Sequence, residues 1–300
     1  MTGSHWAEEA RAFFDTGWVR FPHDPAIDAW RMAAKPISDA LANDPGEQSR
    51  WLRSGGTWYA GVNAFPNDAA GAVPDRGVPP LSGAVLDFIA DALDLTPDPA
   101  APQPPPFHKG APERPSQPTA PHAEGFGWDR AQISVCYPGY PQQAPDETDA
   151  AFRFRRNRDA AHVDGLTRHG PENRRHLGEP HGFILGIPLG ATDPESAPMI
   201  VYEGSHQIMR AAFSERLADI PPESWRDEDL TEAYTAARRQ CFQDCPRVPV
   251  HAQPGDCYLV HRLALHGVAP WTGGTEPRAI AYFRPDPHLG AAPGWWLDTP

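Results

Sequence analysis

The sequence predicts a mainly β fold, a β-sandwich or jelly roll with flanking helices, and three observations carry that expectation. Beyond residue 126 the chain breaks into short runs of β character separated by glycine and proline turns. Proline is in excess at 37 of 300 residues, and each interior proline would break a helix, so a mainly helical protein is disfavoured. A hydrophobic content of 40% over that length supplies enough apolar surface for a sizeable core, which argues against global disorder.

Taken in chain order, Trp6, Ala10, Phe13 and Phe14 fall on one helical face. Val85, Leu86, Ile89 and Leu93 fall on another, with Ser82 as its expected cap. Between them, residues 53–80 are rich in glycine and aromatics without a regular period, which predicts a loop packed over something. If that loop covers the mouth of the β core, Trp58, Tyr59 and Phe65 would pack a substrate; otherwise they are ordinary core. Ten of the 25 residues at 97–121 are proline, so neither a regular helix nor a central strand survives there. The expected organisation is a single domain, 1–300, with a helical and loop part at 1–96, a proline-rich insertion at 97–121 and a β core at 126–285.

Within that core, residues 131–137 alternate, with Ile133, Val135 and Tyr137 on one face and Gln132, Ser134 and Cys136 on the other. Strands are expected at 182–189, 198–204, 247–251, 256–261 and 278–284. A helical insertion at 205–241 interrupts them, with Met209, Phe213 and Leu217 and then Leu230, Tyr234 and Ala237 recurring at helical spacing, and Ser205 as its cap.

A net charge of −13 argues against a nucleic-acid partner and against adhesion to an anionic membrane surface. The N-terminus lacks a basic start followed by an apolar run, and no apolar stretch approaches the length of a membrane span, so a cytoplasmic protein is expected. Cys136, Cys241, Cys245 and Cys257 are sparse for a disulfide framework and are read as reduced thiols. No heptad pattern announces an oligomeric interface.

The sharpest pattern for chemistry is His162-Val163-Asp164-Gly165. In an extended strand residues i and i+2 project from one face, so an imidazole and a carboxylate can meet one ion. A second imidazole must then come from elsewhere, and the candidate is His266, expected at the end of a strand that opens at the Pro-Gly-Asp turn of 254–256. Two histidines and a carboxylate on one face of an iron centre leave three positions open, as non-haem Fe(II) oxygenases require. The tripeptide alone is weak evidence; the downstream His-Gly and Arg278, twelve residues past His266, strengthen it.

Together, HVDG at 162–165, EGSH at 203–206, PGDCYLVHRLALHG at 254–267 and the arginine of PRAIAYF at 277–283 resemble the phytanoyl-CoA dioxygenase-like superfamily. The resemblance spans about residues 126–285 and implies a double-stranded β-helix, a jelly roll of cupin-like type, as the core. It implies a non-haem Fe(II)- and 2-oxoglutarate-dependent oxygenase that uses O2, hydroxylates a small organic substrate and releases succinate and CO2. By the resemblance, His162, Asp164 and His266 are the iron ligands, Arg278 grips the distal carboxylate of 2-oxoglutarate, and Gln132 contacts the cosubstrate. A guanidinium suits that role, since it stays charged when partly buried and can grip a carboxylate bidentately. One departure stands out: many relatives have a hydroxyl residue soon after the distal histidine and an asparagine near the end of that motif. This chain reads His266-Gly267-Val268-Ala269-Pro270-Trp271 instead. Related halogenases lack the carboxylate, whereas Asp164 is present, which favours hydroxylation.

Other residues have competing readings. His261 is an alternative ligand to His266, although in a regular strand the two would face opposite sides. His206 is expected to stabilise a turn, and His176, Glu179 and His181 to lie on a loop over the site mouth. Arg153, Arg155, Arg156 and Arg158 read either as a solvated strand edge or as part of an anion-attracting rim, since residues 151–180 hold seven arginines against four carboxylates. The rim reading allows an anionic small-molecule substrate. Two rival functions remain open: a cupin-like metal enzyme that does not use 2-oxoglutarate, and a non-catalytic jelly-roll protein whose metal serves structure.

Overall fold

The computed structural model describes residues 5–103, 125–289 and 291–298. The chain opens with helix α1 (Ala7–Thr16), closed by Gly17 at a left-handed φ of 89°, and turns directly into strand β1 (Trp18–Phe21). Helix α2 (Pro25–Asn43), 19 residues long, has no counterpart among the expected elements. Its signal was present in the sequence: Asp24 caps it, Pro25 occupies the first turn, and Ile27, Trp30, Ala34 and Ile37 form a buried stripe. Helix α3 (Pro45–Trp51) follows, then strands β2 (Leu52–Arg53) and β3 (Trp58–Tyr59). Both strands join a sheet, so the segment read as a loop is partly an edge of the β core. Tyr59 and Phe65 are fully buried in the core cluster that contains Trp30, and they do not line a mouth.

Helix α4 (Ala84–Leu93) corrects the expected cap. Ser82 is not used; the N-cap is Gly83, and the first helical N–H, that of Ala84, donates to Asp24 Oδ2 at 2.7 Å. The other oxygen of Asp24 accepts from Ala26 N at 2.8 Å, so one carboxylate caps two helices. Residues 104–124, most of the proline-rich insertion, lie outside the described residues. The flanks of the insertion meet, with Pro97 bridged to Phe126 in parallel.

Strand β4 (Gln132–Cys136) falls where alternation placed it. The arginine-rich stretch does not form a strand edge but helix α5 (Asp149–Asn157), capped by Thr148, whose Oγ1 accepts from Ala151 N at 3.3 Å. Arg155 pairs with Glu147, Arg156 covers Phe152, and Arg158, just past the helix, lies over Phe242. Three of the four arginines are thus engaged in local packing. A hairpin of β5 (Leu166–His169) and β6 (Arg174–Leu177) leads into β7 (Phe183–Pro188) and β8 (Met199–Tyr202). The helical insertion is two helices, α6 (Ser205–Leu217) and α7 (Thr231–Asp244), joined by a short 3-10 turn at Pro222–Asp227. Strands β9 (Arg247–Val250), β10 (Cys257–His261), β11 (His266–Val268) and β12 (Arg278–Phe283) complete the core.

All strand pairings between named strands are antiparallel. One sheet has seven strands in the order β1-β10-β7-β12-β4-β3-β2, and a second has three, β11-β8-β9. Alternation sorts each strand between two faces. Leu185, Ile187, Leu259, Ala281 and Phe283 pack outward beneath α1, α2 and α4. Ile184, Tyr258, Val260, Ile280 and Tyr282 point the other way and share one cluster with Met199 and Val201 of β8 and Val250 of β9. The two sheets therefore face each other across an apolar interior. The outer face of the small sheet, at Ile200 and Tyr202, is covered by α6 and α7. The four cysteines are free, and no helix among the described residues is long and apolar enough to cross a membrane.

Candidate metal centre

His162 and His266 face each other across an isolated antiparallel bridge, closed by His162 N–H to His266 O at 2.8 Å and His266 N–H to His162 O at 3.0 Å. His266 is not the end of the strand that begins near residue 256, as expected. That strand, β10, stops at His261; the chain then turns, with Ala264 N–H donating to His261 O at 2.8 Å, and crosses to the small sheet, where His266 opens β11. Ser205 does not cap α6, whose N-cap is Gly204; its Oγ accepts from Leu265 N at 2.8 Å and fixes the backbone just before His266.

The i, i+2 expectation for His162 and Asp164 holds without a regular strand: Val163 is buried between them, and both side chains reach one point. Ligand atoms of His162, Asp164 and His266 all lie within 4.8 Å of one another, and this is the one such group of three among the described residues. His162 Nε2 is 3.0 Å from Asp164 Oδ1, and His266 Nε2 is 3.6 Å from Asp164 Oδ2. Adjacent ligands of an octahedral ion at bond lengths of about 2.1 Å sit about 3 Å apart, so the cluster is close to the size an ion needs. Each imidazole directs Nδ1 at a carbonyl two residues earlier, His162 at Ala160 O (3.0 Å) and His266 at Ala264 O (2.9 Å). A carbonyl only accepts, so each Nδ1 carries a proton, and Nε2 is the atom that each ring would offer to a metal. Burial alone would raise the Asp164 carboxyl, but Arg284 and then His266 outweigh it and hold it well below the usual carboxylate range. The site is open on one side, because the His162 side chain is 47% exposed whereas that of His266 is 5% exposed.

Arg278 is buried on the interior face of β12. Its Nε donates to Ala197 O at 2.6 Å, while its Nη2 is buried with no partner in the protein. A buried guanidinium nitrogen without an acceptor is costly, and an anion would satisfy it. Two tyrosines share the interior face: Tyr258 OH donates to Tyr282 OH at 3.1 Å, and Tyr282 is a neighbour of Arg278. Burial, reinforced by Tyr282, pushes the Tyr258 phenol well above its ordinary range, so it remains a donor. The two hydroxyls thus stand beside Arg278 on that face. Both stand in strands at alternating positions, a signal the sequence held but did not single out. Gln132 lies opposite Tyr282 across the β4–β12 pairing, with its amide donating to Ala60 O at 2.7 Å.

The other candidates separate. His261 is fully buried outside the cluster, with Nδ1 accepting from Leu263 N at 3.0 Å and its ring near His206. His206 ties α6 to α1, its Nε2 bonding Phe14 O at 2.9 Å. His176 sits in β6 against His169. His181 lies on the loop between β6 and β7, as expected, but is buried there, and burial pushes it down to about 4. Arg284, which no motif marked, donates from Nε to Asp164 Oδ2 at 2.6 Å.

No family model matches the chain, and no curated protein matches it. Several solved structures do. The non-heme alpha ketoglutarate dependent carbocyclase SnoK from nogalamycin biosynthesis is 14% identical, with a TM-score of 0.49 over 95% of this chain and 86% of that one. The epimerase SnoN in complex with Fe3+, alpha ketoglutarate and nogalamycin RO is 15% identical, with a TM-score of 0.45 over 92% and 81%. HygX from Streptomyces hygroscopicus with nickel and 2-oxoglutarate bound is 14% identical, with a TM-score of 0.42 over 94% and 87%. At such identities and scores, the case for function rests on the site's own geometry.

Proposed function

We propose that this chain is a non-haem Fe(II)- and 2-oxoglutarate-dependent oxygenase that hydroxylates a small organic substrate within a single domain built on a double-stranded β-helix core. The observation that carries the reading is the joint presence of the His162, Asp164, His266 cluster and the unpartnered Nη2 of Arg278. A metal site alone would leave that buried guanidinium without a purpose, and a dicarboxylate cosubstrate would employ both.

Iron, with 2-oxoglutarate and dioxygen, supplies the oxidising chemistry when bound, including loss of CO2 from the cosubstrate to give succinate. His162 and His266 would hold the metal through Nε2 and Asp164 through one carboxylate oxygen, leaving one face free. Arg278 would pair with the distal carboxylate of 2-oxoglutarate, with the Tyr282 hydroxyl as a further donor and Tyr258 holding Tyr282 in place. Gln132 stands on the same interior face and would contact the cosubstrate. The apolar interior of Ile184, Val201 and Ile280 excludes water from the cosubstrate, and the exposed flank of His162 gives substrate its access.

Adding Fe(II) and 2-oxoglutarate anaerobically should produce a weak charge-transfer band in the visible. Its absence in folded, metal-loaded protein would sink the reading. Asp164→Ala and His266→Ala should each abolish succinate release, whereas Arg278→Ala should weaken 2-oxoglutarate binding by about a hundredfold, the scale of breaking a buried charge pair. Turnover that proceeds without 2-oxoglutarate would point instead to a cupin-like metal enzyme.

A further inference from the structure

Arg284 lies just past β12 and stands two residues beyond Tyr282, in the alternation that runs through Arg278 and Ile280. It is held at both ends. Its main-chain N–H donates to Asp129 Oδ1 at 2.7 Å, and its guanidinium carbon lies 5.4 Å from the Tyr282 ring centroid, a cation–π contact. From that fixed stem, Nε reaches Asp164 Oδ2 at 2.6 Å. Oδ2 accepts a charge-assisted hydrogen bond from Arg284 and lies 3.6 Å from His266 Nε2, while Oδ1 lies 3.0 Å from His162 Nε2 with no arginine on it.

We propose that Arg284 is a positioning residue of the metal centre, which fixes Asp164 so that Oδ1 alone serves the metal and Oδ2 is withheld from chelation. A carboxylate free to swing could take two positions on the ion. One held by its second oxygen takes a single position, and two histidines plus one oxygen leave three sites open, as many as a chelating cosubstrate and dioxygen together occupy. Partners of this kind orient ligands and typically change metal affinity ten- to a hundredfold when removed. The assignment rests on the metal-binding part of the proposed function and not on 2-oxoglutarate.

Co(II) alone is therefore the probe, added to the full-length metal-free protein and followed by equilibrium dialysis and by its visible absorption. Arg284→Met, which keeps the length and removes the donor, should bind Co(II) ten- to a hundredfold more weakly and with altered visible bands. Arg284→Lys, which keeps a charged donor, should recover part of the affinity; near-ultraviolet circular dichroism checks that each variant is folded. Arg284→Met binding Co(II) as tightly as the unaltered protein, or more tightly, with unchanged bands, would overturn the assignment. So would equal losses in Arg284→Met and Arg284→Lys. An unaltered protein that binds no Co(II) removes the metal site itself, whereas Co(II) binding without a 2-oxoglutarate band leaves Arg284 its role and removes only the proposed oxygenase.

Discussion

Asp159 shows how a single side chain supports the centre without touching it. It is buried at a positive φ of 57°, accepts from Arg247 Nε and Nη2 at 2.8 and 2.7 Å and from the Tyr202 hydroxyl at 3.0 Å, and its carbonyl takes Val268 N–H at 2.8 Å. It thereby ties the segment entering His162 to β8, β9 and β11. Asp159→Ala should cost about 2 kcal/mol, since hydrogen bonds to charged groups are worth about 1.5–3 kcal/mol and Arg247 is half exposed. Urea denaturation would show this, and a loss below about 0.5 kcal/mol would contradict it. At this scale the meeting of His162, Asp164 and His266 was legible. The i, i+2 spacing brings His162 and Asp164 to one side, whereas His266 and His261 are separated by the turn that carries the chain from β10 to β11 and not by parity within one strand. Arg284 was not legible, because no local spacing links residue 284 to residue 164.

The elements that frame the centre are two short segments brought unusually close. An added Cβ at Gly267 would collide with the carbonyl oxygen of Asp159 and lie 3.0 Å from Ala161 Cα, so the His-Gly pair is a demand of backbone approach. Gly267→Ala should push the 159–162 segment away from β11, lowering stability by about 1–3 kcal/mol and weakening Co(II) binding together. A stability loss with unchanged metal affinity would refute that coupling. Asp24 offers the contrasting control. Losing a cap costs about 1 kcal/mol, so Asp24→Ala, which uncaps α2 and α4 at once, should cost about 2 kcal/mol while leaving metal affinity unchanged. Strands at 132–136, 183–188 and 278–283 were readable because alternation and bounding turns are local. The arginine-rich helix α5 was missed because its side chains are mostly polar and its few apolar contacts are made with α7.

Across the whole molecule, burial leaves several histidines neutral. It lowers His181 to about 4, His206 below its ordinary 6.5, and His261 well below it, with Arg262 adding to the shift of His261. A depressed histidine binds its proton more readily when unfolded. The stability it contributes is thus complete above pH 6.5 and is lost as pH falls toward about 4, by about 1.4 kcal/mol per unit for each group that stays neutral. The urea midpoint of the metal-free protein should therefore drop steeply between pH 6.5 and 4.5, and a flat profile would contradict the burial of these rings. Charge offers a similar lesson. Seven arginines within 151–180 suggested a rim, but Arg155 and Arg158 are committed to Glu147 and Phe242, and the arginine that contacts the centre, Arg284, comes from just past β12. By itself the sequence determined what depends on near neighbours: the β character of the second half, the faces of its strands, and the placing of His162 and Asp164 on one side. Only the tertiary structure decided what depends on closure between distant segments: the hand-over of His266 from one sheet to the other, the Tyr258–Tyr282 pair beside Arg278, and the grip of Arg284 on Asp164. The physical reason is that a strand's alternation says which side a residue faces, whereas the sheet pairing says what waits there.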